Sequence, residues 1–124
     1  MITQPAEIWR ALLRRSLLAA RTERDPTRVS ALRSMLAAID NAEAPPSVGG
    51  SATTNAHIAG AVTGVGTTEV ARRELSDEQI RELVCREVDE RLGAADDFTT
   101  GGHTERAAAL RAEATVLRDL LGDV

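Results

Sequence analysis

The sequence predicts an all-α fold: a four-helix arrangement of two helical hairpins joined by a long Gly/Ala/Thr-rich loop. Apolar residues recur at a helical period in four separate stretches, which is the first reason. Second, the stretches are bounded by helix start and stop signals, with a tight turn inside each pair. The third reason is composition. The chain is 43% hydrophobic yet holds one Trp, one Phe and no Tyr, so its core is built from Ala, Leu, Val and Ile. At 124 residues it is expected to form one domain over 1–124, long enough for one compact core and too short for two.

The first helix is expected over about 5–21, with Pro5 at its first position. On a helical wheel Ile8, Trp9, Leu12, Leu13, Leu17 and Ala20 fill one half, and Arg10, Arg14 and Arg21 form a narrow ridge on the other. After a turn at Thr22–Asp25 the second helix runs over about 26–43, capped by Asp25 and opened by Pro26. Val29, Leu32, Met35, Leu36, Ile39 and Ala42 share its apolar face. Arg28 and Glu43 project within that arc, with Arg33 and Asp40 at its border. Charges so placed need partners, and these four are expected to find them across the bundle.

From 44 to 73 the period is lost among Pro, Gly, Ser and Thr. This connection is read as a mostly irregular, flexible one, or one carrying a short helical turn around Ala56–Val62. Ser76-Asp77-Glu78-Gln79 is a capping box that opens the third helix, over about 76–100. Ile80, Leu83, Val84, Val88, Leu92, Ala95 and Phe98 form its stripe, with Glu87 and Arg91 four apart in the middle and Cys85 on the flank. Gly101-Gly102 ends it. The fourth helix, over about 104–121, is expected to bury Ala107, Leu110, Ala114, Leu117 and Leu121, with Glu113 at the stripe's edge.

Every one of the 15 basic residues is Arg. Without Lys there is no Schiff-base lysine, P-loop lysine or ammonium base. The net charge of -4 argues against a protein that coats nucleic acid generally. The charge is unevenly spread: residues 1–38 carry seven Arg against three acids, whereas 69–105 carry five Arg against eleven. The first region can meet an anionic partner, or it is simply a solvated surface. Lone Cys85 makes no internal disulfide, the start lacks a secretory pattern, and no stretch is apolar enough to span a membrane, so a cytoplasmic location is expected.

Catalytic and metal motifs are not found. The Gly60–Thr68 string lacks the Lys of a Walker A loop, and Glu69 stands where a dinucleotide fingerprint needs its third Gly. Cys85, His57 and His103 are in no ligand spacing, so no metal and no cofactor is expected. Ser76 is a cap, and Ser51 lacks a nucleophile elbow. Nucleic-acid binding remains open through the Arg ridge. Both aromatic residues look core-directed, so contacts would run to phosphate or RNA shape and not to stacked bases.

Arg28, Leu32-Arg33 and Asn41-Ala42-Glu43, then Gly66, Glu69-Val70 and Arg72 through Ser76, stand in one spaced order. The order continues through Glu87, Glu90-Arg91, Ala94-Ala95, Phe98, Arg106, Glu113, Val116-Leu117 and Leu120-Leu121 and covers nearly the whole sequence. On these residues the chain resembles the YqeY-like family, stand-alone relatives of the tail domain of the B subunit of glutamyl/aspartyl-tRNA amidotransferase. The Arg-only, Ala-rich style is similar to versions from high-GC actinobacteria. Family members usually continue through a Tyr-Leu-Pro hinge into a second small helical domain, and a version without that C-terminal lobe is expected here.

The resemblance implies a link to carbon-nitrogen ligase activity with glutamine as amido-N-donor, whose chemistry resides in other domains and subunits. A non-catalytic accessory in tRNA or RNA metabolism is therefore the first expectation, with Arg10, Arg14, Arg21 and Arg33 as RNA-binding candidates. The alternative is a protein-interaction module for an amidotransferase or synthetase partner, using the acidic third helix or the 44–73 connection; an enzyme in its own right is the third. Arg28, Glu43, Glu87, Arg91 and Glu113 lie on or beside apolar stripes and are expected to form an inter-helix ion-pair network. The other role open to Arg28 and Arg33 is to face an RNA phosphate.

Overall fold

A computed structural model describes residues 3–45 and 72–123. The described residues form four helices: α1 (Pro5–Thr22), α2 (Pro26–Glu43), α3 (Asp77–Thr100) and α4 (Thr104–Asp123). No strand occurs among the described residues. The class is all-α, and α1–α2 and α3–α4 are antiparallel hairpins with short turns. The long connection expected between them, with His57 and the Gly60–Thr68 string, lies from 46 to 71 outside the described residues.

Local chemistry sets the helix ends. Pro5 and Pro26 stand in the first turns, where a missing N–H costs nothing. The Asp25 carboxylate accepts from the Arg28 N–H at 3.2 Å. At α3 the Ser76 hydroxyl accepts from the Gln79 N–H at 3.0 Å, while the Gln79 side chain accepts from the Ser76 N–H at 2.8 Å.

Both hairpin turns have one geometry. The Asp25 N–H reaches back to the Ala20 carbonyl and the Arg24 N–H to that of Arg21. In the second, the His103 N–H reaches Phe98 and the Gly102 N–H reaches Thr99. This is the Schellman closure, which requires a left-handed residue just past the helix. Gly102 supplies it at φ +85. In the first turn the position falls to Arg24, at φ 57. The Phe98 and His103 rings meet edge to face, 5.8 Å between centroids, which adds the side-chain contact that usually accompanies this motif.

The core lies along the inner faces of all four helices. Trp9, Leu13, Leu32, Met35, Ile39, Ile80, Val84 and Leu117 are its largest fully buried side chains. Among the described residues, α2 packs against each of the other helices, whereas α1 approaches only α2 and α3. That asymmetry corrects the wheel for α1. A half-circle centred on the apolar residues takes in Ile8, yet a helix flanked on two sides buries a narrower arc, and Ile8 is 50% exposed. Cys85, expected on the flank of a buried stripe, is exposed.

Candidate nucleic-acid interface

The arginines fall into a satisfied group and an unsatisfied one. Arg10 belongs to the first. It projects from α1 toward the last turns of α2, where it bonds Asp40 at 2.5 Å and also pairs with Glu43. Hydrogen bonding to Glu43, and secondarily to Asp40, raises the Arg10 pKa against the cost of its burial. Its side chain is 16% exposed. Arg10 was expected on an open ridge; the structure withdraws it because its wheel position borders that of Leu17, at the α1–α2 seam.

The second satisfied centre is on the other hairpin. Arg91 of α3 donates to Glu87 one turn earlier at 2.9 Å, and across the seam to Glu113 of α4 at 3.0 Å. Burial works against the cation, and the bonds to Glu87 and Glu113 outweigh it, so the Arg91 pKa is raised. The five charges expected to share one network are thus divided. Glu87, Arg91 and Glu113 are joined, Glu43 pairs with Arg10, and Arg28 pairs at 2.8 Å with Glu23, a neighbour within the turn and not a partner across the bundle.

A third centre was not foreseen. Buried Trp9 donates its indole N–H to Asp77 at 2.8 Å, and Asp77 also accepts from Arg81 at 2.7 Å. Arg81 lies over the Trp9 ring at 5.7 Å and donates to the Leu121 carbonyl at the end of α4. The sequence signal for Asp77–Arg81 was their spacing of four; the indole partner comes from a distant helix.

Ten exposed arginines have no ion-pair partner among the described residues: Arg14, Arg15, Arg21, Arg24 and Arg33 on the α1–α2 hairpin, and Arg72, Arg73, Arg86, Arg106 and Arg118 beyond it. The antiparallel register, fixed by the 23–25 turn and the Arg10–Asp40 bond, sets Arg33 level with Leu17, between Arg14 and Arg21 along the hairpin. Arg21 and Arg24 line a shallow hollow at the turn together with Asp25, Pro26 and Val29; the Asp25 carboxylate there is engaged as the cap of α2. Guanidinium groups so displayed can donate bidentate bonds to phosphate oxygens. Trp9 is fully buried and Phe98 is engaged by His103 and Arg106 at the far hairpin, so neither ring is placed to stack on a base beside them.

No group of three or more His, Cys, Asp or Glu side chains able to hold a metal ion occurs among the described residues. No helix among them is long and apolar enough to cross a membrane. Comparison with family models, curated proteins and solved structures gives no match to this chain.

Proposed function

We propose that the chain is a non-catalytic, YqeY-like helical module that serves as a cytoplasmic accessory in tRNA or RNA metabolism. Its phosphate contacts are made by Arg14, Arg21 and Arg33, with Arg24 at the turn, and Arg10 stabilises the fold. The observation that carries this reading is the clustering of five unpaired arginines, Arg14, Arg15, Arg21, Arg24 and Arg33, on the α1–α2 hairpin. Where an arginine stabilises the bundle, as at Arg10, Arg81 and Arg91, a carboxylate stands against it; along the open edge of α1–α2 none does. Such an edge attracts polyanions even in a chain of net charge -4. The link to glutamine-dependent carbon-nitrogen ligase activity belongs to the same reading, as the activity of a partner and not of this module.

A gel-shift titration with bulk tRNA at two salt concentrations tests it. Each phosphate neutralised makes log K fall with log salt by roughly 0.7 to 0.9. Three or four arginine contacts therefore predict a steep loss of binding on raising salt, and the triple change Arg14→Glu, Arg21→Glu, Arg33→Glu abolishes the shift. Absence of binding at low salt overturns the proposal.

A second reading, a docking module for an amidotransferase or synthetase partner, is favoured by the acidic outer face of α3. Glu78, Glu82, Asp89, Glu90, Asp96 and Asp97 are all exposed there. It predicts loss of partner binding on charge reversal in α3, with no effect from the α1–α2 arginines.

A further inference from the structure

Two large hydrophobic side chains stand exposed among the described residues, Leu18 at 66% and Ile8 at 50%. Both are on α1, the helix that packs against two of the other three described helices. They belong to one outward stripe, Gln4, Ile8, Ala11, Arg15, Leu18 and Thr22, every member of which is exposed. Its spacing alternates four and three residues, the pattern of a helix-pairing seam.

The stripe is complementary to itself. In an antiparallel pairing about a two-fold axis, Ile8 meets Leu18 of the second copy, Ala11 meets Arg15, and Gln4 meets Thr22. Ala11 leaves room for the aliphatic stem of the arginine opposite. On one flank Glu7 falls beside Arg21 of the second copy, and the two-fold repeats the pair. Glu7 and Arg21 are both exposed and neither has an ion-pair partner within its own chain among the described residues. On the other flank half-buried Leu12 meets its own copy. The opposing element is Arg14, which faces Arg14. A pairing in which residue i meets j and j meets i is what a closed dimer requires.

We propose that the outward stripe of α1 docks a second copy of this chain, antiparallel, through Ile8–Leu18 contacts flanked by two Glu7–Arg21 pairs. An 18-residue helix is about 27 Å long. One such seam buries less than the roughly 800 Å² per partner of a standard interface, so the dimer is weak and forms at about micromolar concentrations or above. Since Arg14 and Arg21 also belong to the proposed phosphate edge, the experiment reads oligomeric state without RNA, and its outcome is separate from that of the tRNA titration.

The test is sedimentation equilibrium of the full chain over a dilution series. The wild type is expected to show a monomer–dimer equilibrium that Leu18→Glu abolishes. Leu18 is exposed in the monomer, so that change leaves the thermal melting of the dilute protein in place. Glu7→Arg and Arg21→Glu each weaken the dimer about tenfold by setting like charges opposite one another, and the double change restores it. A monomer at all concentrations, a dimer that survives Leu18→Glu, or a double variant no tighter than the singles overturns the proposal; in the first case the stripe is either solvated or covered by another partner.

Discussion

The indole N–H of Trp9 donates to the Asp77 carboxylate at 2.8 Å, tying the second turn of α1 to the first residue of α3. The indole has no exposure to solvent. Its polar end therefore depends on this one acceptor. Asp77→Ala leaves the donor buried and unpaired, at a cost of about 1–2 kcal/mol by urea denaturation at neutral pH.

The same pair sets a pH dependence. The Trp9 hydrogen bond, and then that of Arg81, hold the Asp77 carboxyl below its usual range. A carboxyl depressed in the folded state stabilises above its unfolded pKa, near 4, and loses that contribution as pH falls through the folded value. The melting difference between wild type and Asp77→Ala should therefore be fully present at neutral pH and shrink below about pH 4. A difference that is constant from neutral to acid pH would falsify the assignment.

Arg91 is 12% exposed and held by two carboxylates on different helices, which ranks the variants around it. Glu113→Ala leaves the cation with Glu87 alone and should lower the melting temperature by several degrees, for a cost of about 1–2 kcal/mol. Arg91→Ala should cost more, because it strands two half-buried carboxylates instead of weakening one cation. Calorimetry of the two variants checks the order.

What the sequence made legible follows from which forces are local. Asp25, Ser76, Gln79 and the prolines act within a turn of their own helices, so they located the helix ends to within a residue or two. Pairings across helices were harder. Glu43 points inward as its wheel position requires, but its partner is Arg10, which the same wheel assigned to an open ridge. Arg28 took the nearer acid, Glu23, because the turn brings it close without any long-range packing. Ile8 was misplaced since a wheel records which side of a helix is apolar and not how many neighbours cover it. Trp9–Asp77 joins residues on either side of the long connection, and no spacing rule encodes that distance.

Arg24 occupies the left-handed position that Gly102 fills in the other hairpin. For a residue with a Cβ that conformation costs about 1 kcal/mol. Arg24→Gly should therefore stabilise the protein slightly, by up to about 1 kcal/mol, offset in part by the extra freedom glycine gives the unfolded chain. Gly102→Ala should do the reverse. A Cβ there meets nothing within 4 Å, so the loss reports backbone strain alone. Opposite signs in thermal melts of the two variants check the argument.

The Glu43 carbonyl accepts from the Arg73 N–H at 2.8 Å, so the chain returns to the end of α2 where it left. The ends of the connection are already together. Replacing 46–71 by a short Gly/Ser linker should leave the helical circular dichroism of the bundle intact and its melting temperature no lower. By loop-closure entropy alone, each halving of the connection's length contributes about 0.6 kcal/mol. A marked fall in melting temperature would show that 46–71 contributes to the core.

Arg10 and Arg33 should behave as opposites. Glu43 is only 9% exposed, and Arg10→Ala removes the cation that compensates its charge. The expected cost is about 2 kcal/mol, since a carboxylate left buried without a partner loses its solvation and gains nothing. Arg33 is exposed and touches no carboxylate, so Arg33→Ala should change stability by less than about 0.5 kcal/mol. Binding reverses the order. Measured well below the melting temperature, Arg10→Ala should keep the tRNA affinity of the wild type while Arg33→Ala loses part of it and flattens the salt dependence by about one phosphate contact. Equal effects of the two on affinity would place Arg10 at the ligand and undo the division between paired and unpaired arginines.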